Sequence, residues 1–274
     1  MYSLRASPRV ICTAGAPRDS FVMLSLYHRS RDCAPGNRVK LSWEDLPGLF
    51  PSFANPERWL PLLQRHATLV EQAAKHTRVT SVTGANVVRR QYAESLELLR
   101  ITRCFTDACE PYADVGTGGG YPGLVVAILI PAAPVTLVEP LQKRARLLET
   151  MAAELELVNV RVLAERAEDA GRGALRGSCA LVTARAVAEL RELLEYTAPL
   201  ARTGGWLALP KGSGAEAEVE EAARALGELN CVHRATVPMR PEVSDSGMVV
   251  MVEKVGPGLE KYPRRAGLPG KRPL

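Results

Sequence analysis

The chain is 274 residues long and 46% hydrophobic, with a formal net charge of +5. That length fits one full α/β domain with an extension, or a medium domain plus a small one, and no stretch approaches the roughly 20 uninterrupted apolar residues of a membrane-spanning helix. Residues 1–40 and 254–274 each carry +5, leaving −5 on the body between them; basic ends on an acidic body suit contact with an anionic polymer, and suit solvated tails equally well.

In chain order, residues 1–40 are Arg-rich and poor in acids, and residues 1–54 are set aside as an unassigned leader, disorder among its readings. Asn55 before Pro56 reads as a helix N-cap with proline at the first helical position. Trp59, Leu62, Leu63, His66, Leu69, Val70 and Ala73 then recur at helical spacing, and His66 on that face reads as a core residue. A second amphipathic helix is expected over about 85–101, with Val88, Tyr92, Ser95, Leu96 and Leu99 on one side. Residues 55–110 thus form a helical N-terminal extension.

Beyond Pro111, short apolar runs at 112–116, 135–139, 160–164, 179–183 and 205–210 alternate with helical stretches at 121–130, 141–157, 187–200 and 215–229. Strict alternation predicts a parallel sheet covered on both faces. The last two runs, "CVHRATVP" and "GMVVMVEKV", have no helix between them and read as an antiparallel pair closing the sheet. The expected fold is therefore α/β, a mostly parallel Rossmann-like sheet of the class I methyltransferase kind over 111–255, with a basic, extended C-terminal arm at 256–274.

The six cysteines (Cys12, Cys33, Cys104, Cys109, Cys179, Cys231) contain no CxxC pair, and His28, His66, His76 and His233 lie at no metal-ligand spacing from them. No metal site is expected, and scattered thiols fit a reducing compartment such as the cytoplasm.

The strongest motif is Asp114-Val-Gly-Thr-Gly-Gly-Gly-Tyr-Pro-Gly123, between the first expected strand and a helix. Glycines there let the backbone turn sharply and approach a ligand at the carboxyl end of the sheet. Gly118, Gly120 and Gly123 also satisfy the dinucleotide pattern GxGxxG. Asp114, two residues before Gly116, and the antiparallel ending favour S-adenosylmethionine, whose amino group Asp114 is expected to meet through water. Glu139 stands 25 residues later at the end of the second strand, where nucleoside-binding sheets place an acid for the ribose hydroxyls. Ala167 and Glu168 follow the third strand, at the adenine edge. Arg185 and Lys211 follow the fourth and fifth, placed to reach an anionic substrate. Lys143, Arg144 and Arg146 read equally as a solvated helix face.

The segments "DVGTGGGYPG", "EPLQKRARLLE", "ERAED", "TARAVAEL" and "LPKG" occur here in the order and spacing of the RsmG (GidB) family, which the chain resembles over about 56–274. The resemblance implies a bacterial enzyme that methylates guanine N7 in small-subunit (16S) ribosomal RNA. It implies cofactor contacts at Gly116, Tyr121, Ala167, Glu168 and Arg185, with Gly118 in the same turn and Glu139 at the ribose. Arg185 thereby has two candidate roles, toward cofactor and toward substrate. The N-terminal match is poorer. Where the family shows N-x-x-x-N-L-T and H-x-x-D-S-L, this chain has Ala74, Arg78, Gln91 and Glu94 in place of the asparagines, histidine and aspartate, while Thr80, Ser95 and Leu96 persist.

Guanine N7 carries an in-plane lone pair and no proton at neutral pH, so its methylation needs orientation and no general base. Arg185 and Lys211 are the candidate catalytic cations, and Glu94 a carboxylate to meet the positive charge of the product. The expected partner is 16S ribosomal RNA or the small subunit, met by a cytoplasmic monomer. Rival readings are methylation of another RNA, a small molecule or a protein, an NAD-dependent oxidoreductase, and a non-catalytic RNA-binding protein on the same fold.

Overall fold

The computed structural model describes residues 40–77, 79–185 and 188–274. The remainder of the leader and Arg78 therefore lie outside the described residues. Part of that leader does not behave as one: α1 (Asp45–Leu49) precedes a loop, and Leu41, Leu46, Phe50 and Phe53 are buried in the core. Its apolar residues are too few for a periodic signal, and their partners lie far along the chain.

Pro56 does begin a helix, α2 (Pro56–Ala74), whose Trp59, Leu63, His66 and Val70 are buried. Asn55 is not the expected cap. It adopts φ 59°, ψ 57° and its side chain makes no capping bond, because a capping residue needs extended backbone to reach back to the N–H groups. The second helix begins as a π turn (Val88–Ala93) and continues as α3 (Glu94–Thr102), burying Tyr92, Ser95, Leu96 and Leu99.

Seven strands follow: β1 (Tyr112–Val115), β2 (Val135–Val138), β3 (Val160–Leu163), β4 (Cys179–Ala184), β5 (Ala201–Lys211), β6 (Cys231–Pro238) and β7 (Met248–Lys254). They lie in the order β3-β2-β1-β4-β5-β7-β6. The first five are parallel, and β7 inserts antiparallel between β5 and β6. This is the expected class I arrangement, with the closing pair resolved into a strand order that the sequence does not show. The connecting helices are α4 (Gly123–Leu129), α5 (Gln142–Glu154), the short α6 (Ala167–Ala170), α7 (Leu190–Thr197), α8 (Ala215–Glu221) and α9 (Ala223–Glu228), so the single helix expected over 215–229 is broken at Ala222. Among the described residues no helix is long and apolar enough to cross a membrane.

Two apolar cores flank the sheet. One joins it to α1–α5; the other packs α6–α9 and Tyr262 against its opposite face. The C-terminal residues are not the extended arm expected from charge and proline content. They include α10 (Leu268–Lys271) and are tied to the domain through three buried or half-buried carboxyl groups. Glu195, fully buried on α7, accepts from the Arg264 guanidinium and from its backbone N–H at 2.8 Å. Glu168 accepts from Gly267 N–H at 2.7 Å, and Glu228 from Tyr262 Oη at 2.9 Å and Lys261 Nζ at 3.0 Å. Lys254 is itself buried and donates to the Leu229 carbonyl. Half of the positive charge that reads as a free tail is thus bound to the domain, through Lys254, Lys261 and Arg264, while Arg265, Lys271 and Arg272 are exposed.

Removing Arg264 strands the buried Glu195 carboxylate, and breaking such a pair typically costs ~3–5 kcal/mol. The Arg264→Ala variant is expected to unfold at markedly lower denaturant than wild type. Lys261→Ala, at an exposed pair, is expected to leave the midpoint nearly in place.

Candidate active site

The turn between β1 and α4 is built on a buried carboxylate. Asp114 is fully buried; one oxygen accepts Gly123 N–H at 2.9 Å and the other accepts the Thr183 hydroxyl at 2.8 Å. These bonds pin the start of α4 and the end of β4 to β1. Gly123 permits it, since a Cβ there would come within 2.2 Å of Leu137 and 3.0 Å of the carboxylate. Asp114, expected to meet a ligand amino group through water, lies beneath the turn with each oxygen accepting one of these bonds. Between them the chain passes through Gly116, Gly118 and Gly120 at φ 67°, 57° and 92°, conformations open to glycine at little steric cost. Burial pushes the Asp114 pKa up to about 6 against the opposing effect of the Thr117 and Thr183 hydroxyls, Gly123 N–H and Arg185.

Glu139 closes β2 beside this turn. Its oxygens accept Gly118 N–H at 3.3 Å and Leu141 N–H at 3.1 Å, and Arg144 stands 4.0 Å away. Of the cations that follow, Lys143 donates to the His76 carbonyl. Ala167 and Glu168 open α6 after β3, both buried. The Glu168 carboxylate faces Gly267 rather than presenting itself as a free ligand group, a pairing across 99 residues.

A cavity of about 470 Å³ opens at the carboxyl ends of β1, β4 and β5. Its walls bring together Gly116, Gly118, Tyr121, Arg185 and Lys211 from the motif-bearing half with Thr80, Arg90, Gln91 and Glu94 from the N-terminal extension. Glu139, Ala167 and Glu168 are outside it, as is Asp114. Arg185 donates to the Arg90 carbonyl at 2.9 Å and to the Gln91 side-chain oxygen, lies 3.8 Å from Glu94, and stacks over the Tyr121 ring at 5.5 Å. Gln91 in turn donates to the Thr80 hydroxyl at 2.6 Å. Two of the residues that depart from the family pattern, Gln91 and Glu94, therefore surround this arginine. Lys211 differs from expectation. Its ammonium donates to Glu218 at 2.6 Å and to the Ala188 carbonyl at 2.7 Å, and Glu218 also accepts Leu190 N–H at the start of α7. The charge of Lys211 is satisfied within the fold, and it holds the chain after β4 in place.

Behind the cavity runs a chain of buried hydrogen bonds whose members, His66, Tyr92 and Tyr121, the sequence names separately without linking them. His66 Nε2 lies 2.9 Å from the Gly119 carbonyl, His66 Nδ1 3.1 Å from Tyr92 Oη, and Tyr92 Oη 3.0 Å from Tyr121 Oη. The carbonyl can only accept, so Nε2 carries the proton and Nδ1 accepts from Tyr92, which accepts from Tyr121. Burial lowers the His66 pKa to about 4 despite the hydrogen bond to Gly119, and raises that of Tyr121 to about 12. These groups fasten the glycine turn to α2 and the π turn and are no proton acceptors from substrate at neutral pH.

Comparison with known proteins matches the model of GidB, rRNA small subunit methyltransferase G, over residues 60–242. The chain belongs to the GidB family. Ribosomal RNA small subunit methyltransferase G of Chloroflexus aggregans is 41% identical over 69% of this chain and 78% of its own, and that of Leuconostoc citreum 33% identical over 80% and 92%. The Carboxydothermus hydrogenoformans protein of the same name is 37% identical over 78% of this chain and 92% of its own. The chain is a class I methyltransferase with S-adenosylmethionine as its cofactor. The residues present fit that group: three glycines hold left-handed backbone at the end of β1, and the adjoining Glu139 carboxylate is fixed by backbone donors with lone pairs to spare.

Of the residues that line the cavity, Arg90 and the 239–247 loop carry no motif. The persisting Thr80 and the departures at Gln91 and Glu94 mark that wall in the sequence. The buried pair His66 and Asp114 has opposite pH signatures. Native His66 refuses a proton that the unfolded chain accepts, so its contribution is lost as pH falls from about 6.5 toward 4. Native Asp114 keeps a proton that the unfolded chain releases, so its contribution is lost as pH rises from about 3.8 through 6. Against the wild-type curve, His66→Gln is expected to gain stability on acidification from pH 6 to 4 and Asp114→Asn to lose it. Each difference should be on the order of 2–3 kcal/mol, read by chemical denaturation across that range.

Proposed function

We propose that this protein methylates guanine N7 in small-subunit (16S) ribosomal RNA, acting as a cytoplasmic monomer. The observation that carries the reading is the composition of the cavity. It adjoins the glycine turn and is lined by hydrogen-bonding groups suited to a base edge, while none of its described lining residues is a histidine or cysteine. An in-plane ring nitrogen needs no deprotonation, so a cavity whose lining carboxylate, Glu94, is flanked by Arg90 and Arg185 is adequate for it. The names of the relatives, all ribosomal RNA small subunit methyltransferase G, support the substrate class.

When bound, S-adenosylmethionine supplies an electrophilic methyl group. The backbone at Gly116 and Gly118 would hold its methionine portion, Glu139 the ribose hydroxyls and Ala167 the adenine side. The remaining work falls to the cavity residues. Arg185, held rigidly by Arg90 and Gln91, lies along the wall where the target base enters and orients it. The carboxylates Asp114 and Glu94 near this guanidinium keep the local charge balanced while the purine becomes cationic. Orientation of two reactants can supply up to ~7–11 kcal/mol of the barrier, which makes rigid walls more valuable here than a proton acceptor.

Mapping N7-methylguanosine in ribosomal RNA from cells with and without the protein, and after incubation of purified RNA or subunits with it and S-adenosylmethionine, tests the reading. A site present only with the protein is expected; no such site sinks it. Arg185→Ala should lower the single-turnover rate at least tenfold per folded molecule, whereas Lys211→Ala should lower the melting temperature with the rate per folded molecule little changed. RNA affinity provides a second check. Replacing Arg265, Lys271 and Arg272 by Gln is expected to reduce the slope of log affinity against log salt by no more than about 2–3, as three phosphate contacts allow.

A further inference from the structure

Glu94 begins α3 on the wall of the cavity, its side chain 15% exposed. Arg90 and Arg185 stand 3.7 and 3.8 Å from its two oxygens. At those distances they balance its charge without occupying its lone pairs, and the nearer donors of Arg185 are already taken by the Arg90 carbonyl and Gln91. Ser244 is a further donor beside it. An ionised carboxylate offers about four acceptor positions. Here several remain open on an enclosed wall, an arrangement that favours a ligand bringing donors.

Guanine brings two side by side, N1–H and the 2-amino group, along its Watson–Crick edge. We propose, on the reading that the acceptor base is a guanine, that Glu94 binds its Watson–Crick edge, each carboxylate oxygen accepting one of these hydrogens. The parallel pair of bonds has the geometry with which a carboxylate receives a guanidinium fork. Adenine would turn an unprotonated N1 toward the same oxygens and is repelled. N7 lies on the neighbouring Hoogsteen edge, beyond O6, so holding the Watson–Crick edge on α3 leaves the N7 lone pair uncovered. Arg185, between Glu94 and the Tyr121 ring, spans the distance from that wall to the glycine turn. The contact also acts in the reaction. As the N7–CH3 bond forms and the C–S bond breaks, positive charge spreads over the purine and makes N1–H and the 2-amino group stronger donors. Glu94 therefore binds the transition state better than the ground state, the condition under which binding accelerates a reaction.

The test uses small-subunit RNA carrying guanosine or inosine at the mapped methylation position. Inosine keeps N7, O6 and N1–H and lacks only the 2-amino group. Wild type is expected to lose roughly tenfold to a hundredfold in kcat/KM on inosine, the worth of one hydrogen bond to a charged group. In Glu94→Ala and the better-packed Glu94→Gln, the guanosine-to-inosine ratio should collapse, and because each ratio is internal to one variant it is insensitive to the fraction folded. Ratios undiminished in both variants overturn the proposal. A wild-type protein that binds S-adenosylmethionine by calorimetry yet methylates no guanine N7 overturns the functional reading instead, and this proposal with it.

Discussion

Asp114 sits under the glycine turn with no exposure to water, and its two bonds, to Gly123 N–H and the Thr183 hydroxyl, decide where everything else at the site can stand. The first sets the start of α4 against β1, so that the intervening residues must turn through left-handed backbone. The second ties β4 to the same point, and β4 delivers Arg185 to the rim of the cavity. Desolvating a carboxylate is costly unless it is hydrogen-bonded, and here neutral donors from two different elements each meet one of its oxygens. The site is therefore assembled around a polar group in the core, with apolar packing on both faces of the sheet holding the strands that present it.

A second anchoring system comes from the N-terminal extension. His66, Tyr92 and Tyr121 form one hydrogen-bonded file from the Gly119 carbonyl to the cavity wall. Glu97, fully buried on α3, accepts from Arg100 and Arg240 and so holds the loop between β6 and β7 against the extension; these bonds outweigh the effect of burial and keep its pKa below the ordinary value. Two carboxylates three residues apart thus divide their tasks. Glu97 faces inward and is saturated by arginines at hydrogen-bond distance, while Glu94 faces the cavity with its arginines held back. The extension serves as half of the substrate wall as well as a cover for the sheet.

Much of this was legible in the sequence where the signal is local. Strands buried on both faces make continuous apolar runs, so β1 to β5, α4, α5 and α7 were readable within a few residues, and the glycine turn announces itself by composition; the four-residue α6 is too short for a periodic signal. What was not legible depends on partners distant in the chain. The engagement of Asp114 by Thr183, of Glu168 by Gly267 and of Glu195 by Arg264 each spans at least 69 residues, and a single sequence carries no mark of such pairings. The misreading of the C-terminal residues has the same origin: charge, proline and glycine describe a solvated tail until the buried carboxylates that receive it are known. Lys211 was placed correctly on the cavity wall, but its ion pair with Glu218 depends on where α8 packs.

The strand order has a consequence for how the molecule comes into being. β7 lies between β5 and β6, so the interior of the sheet waits for residues 248–254, and the other face is sealed only when Tyr262 and Arg264 reach α7 and α9. During synthesis, β1 to β5 emerge first and leave the edge of β5 open until β7 has followed. An open strand edge invites pairing with another chain, and nascent domains are most exposed while incomplete. Residues 248–254 turn this vectorially made half-sheet into a covered one by pairing with β5 and β6 at once, and the bonds of Tyr262 and Arg264 to Glu228 and Glu195 can form only after that stretch has emerged.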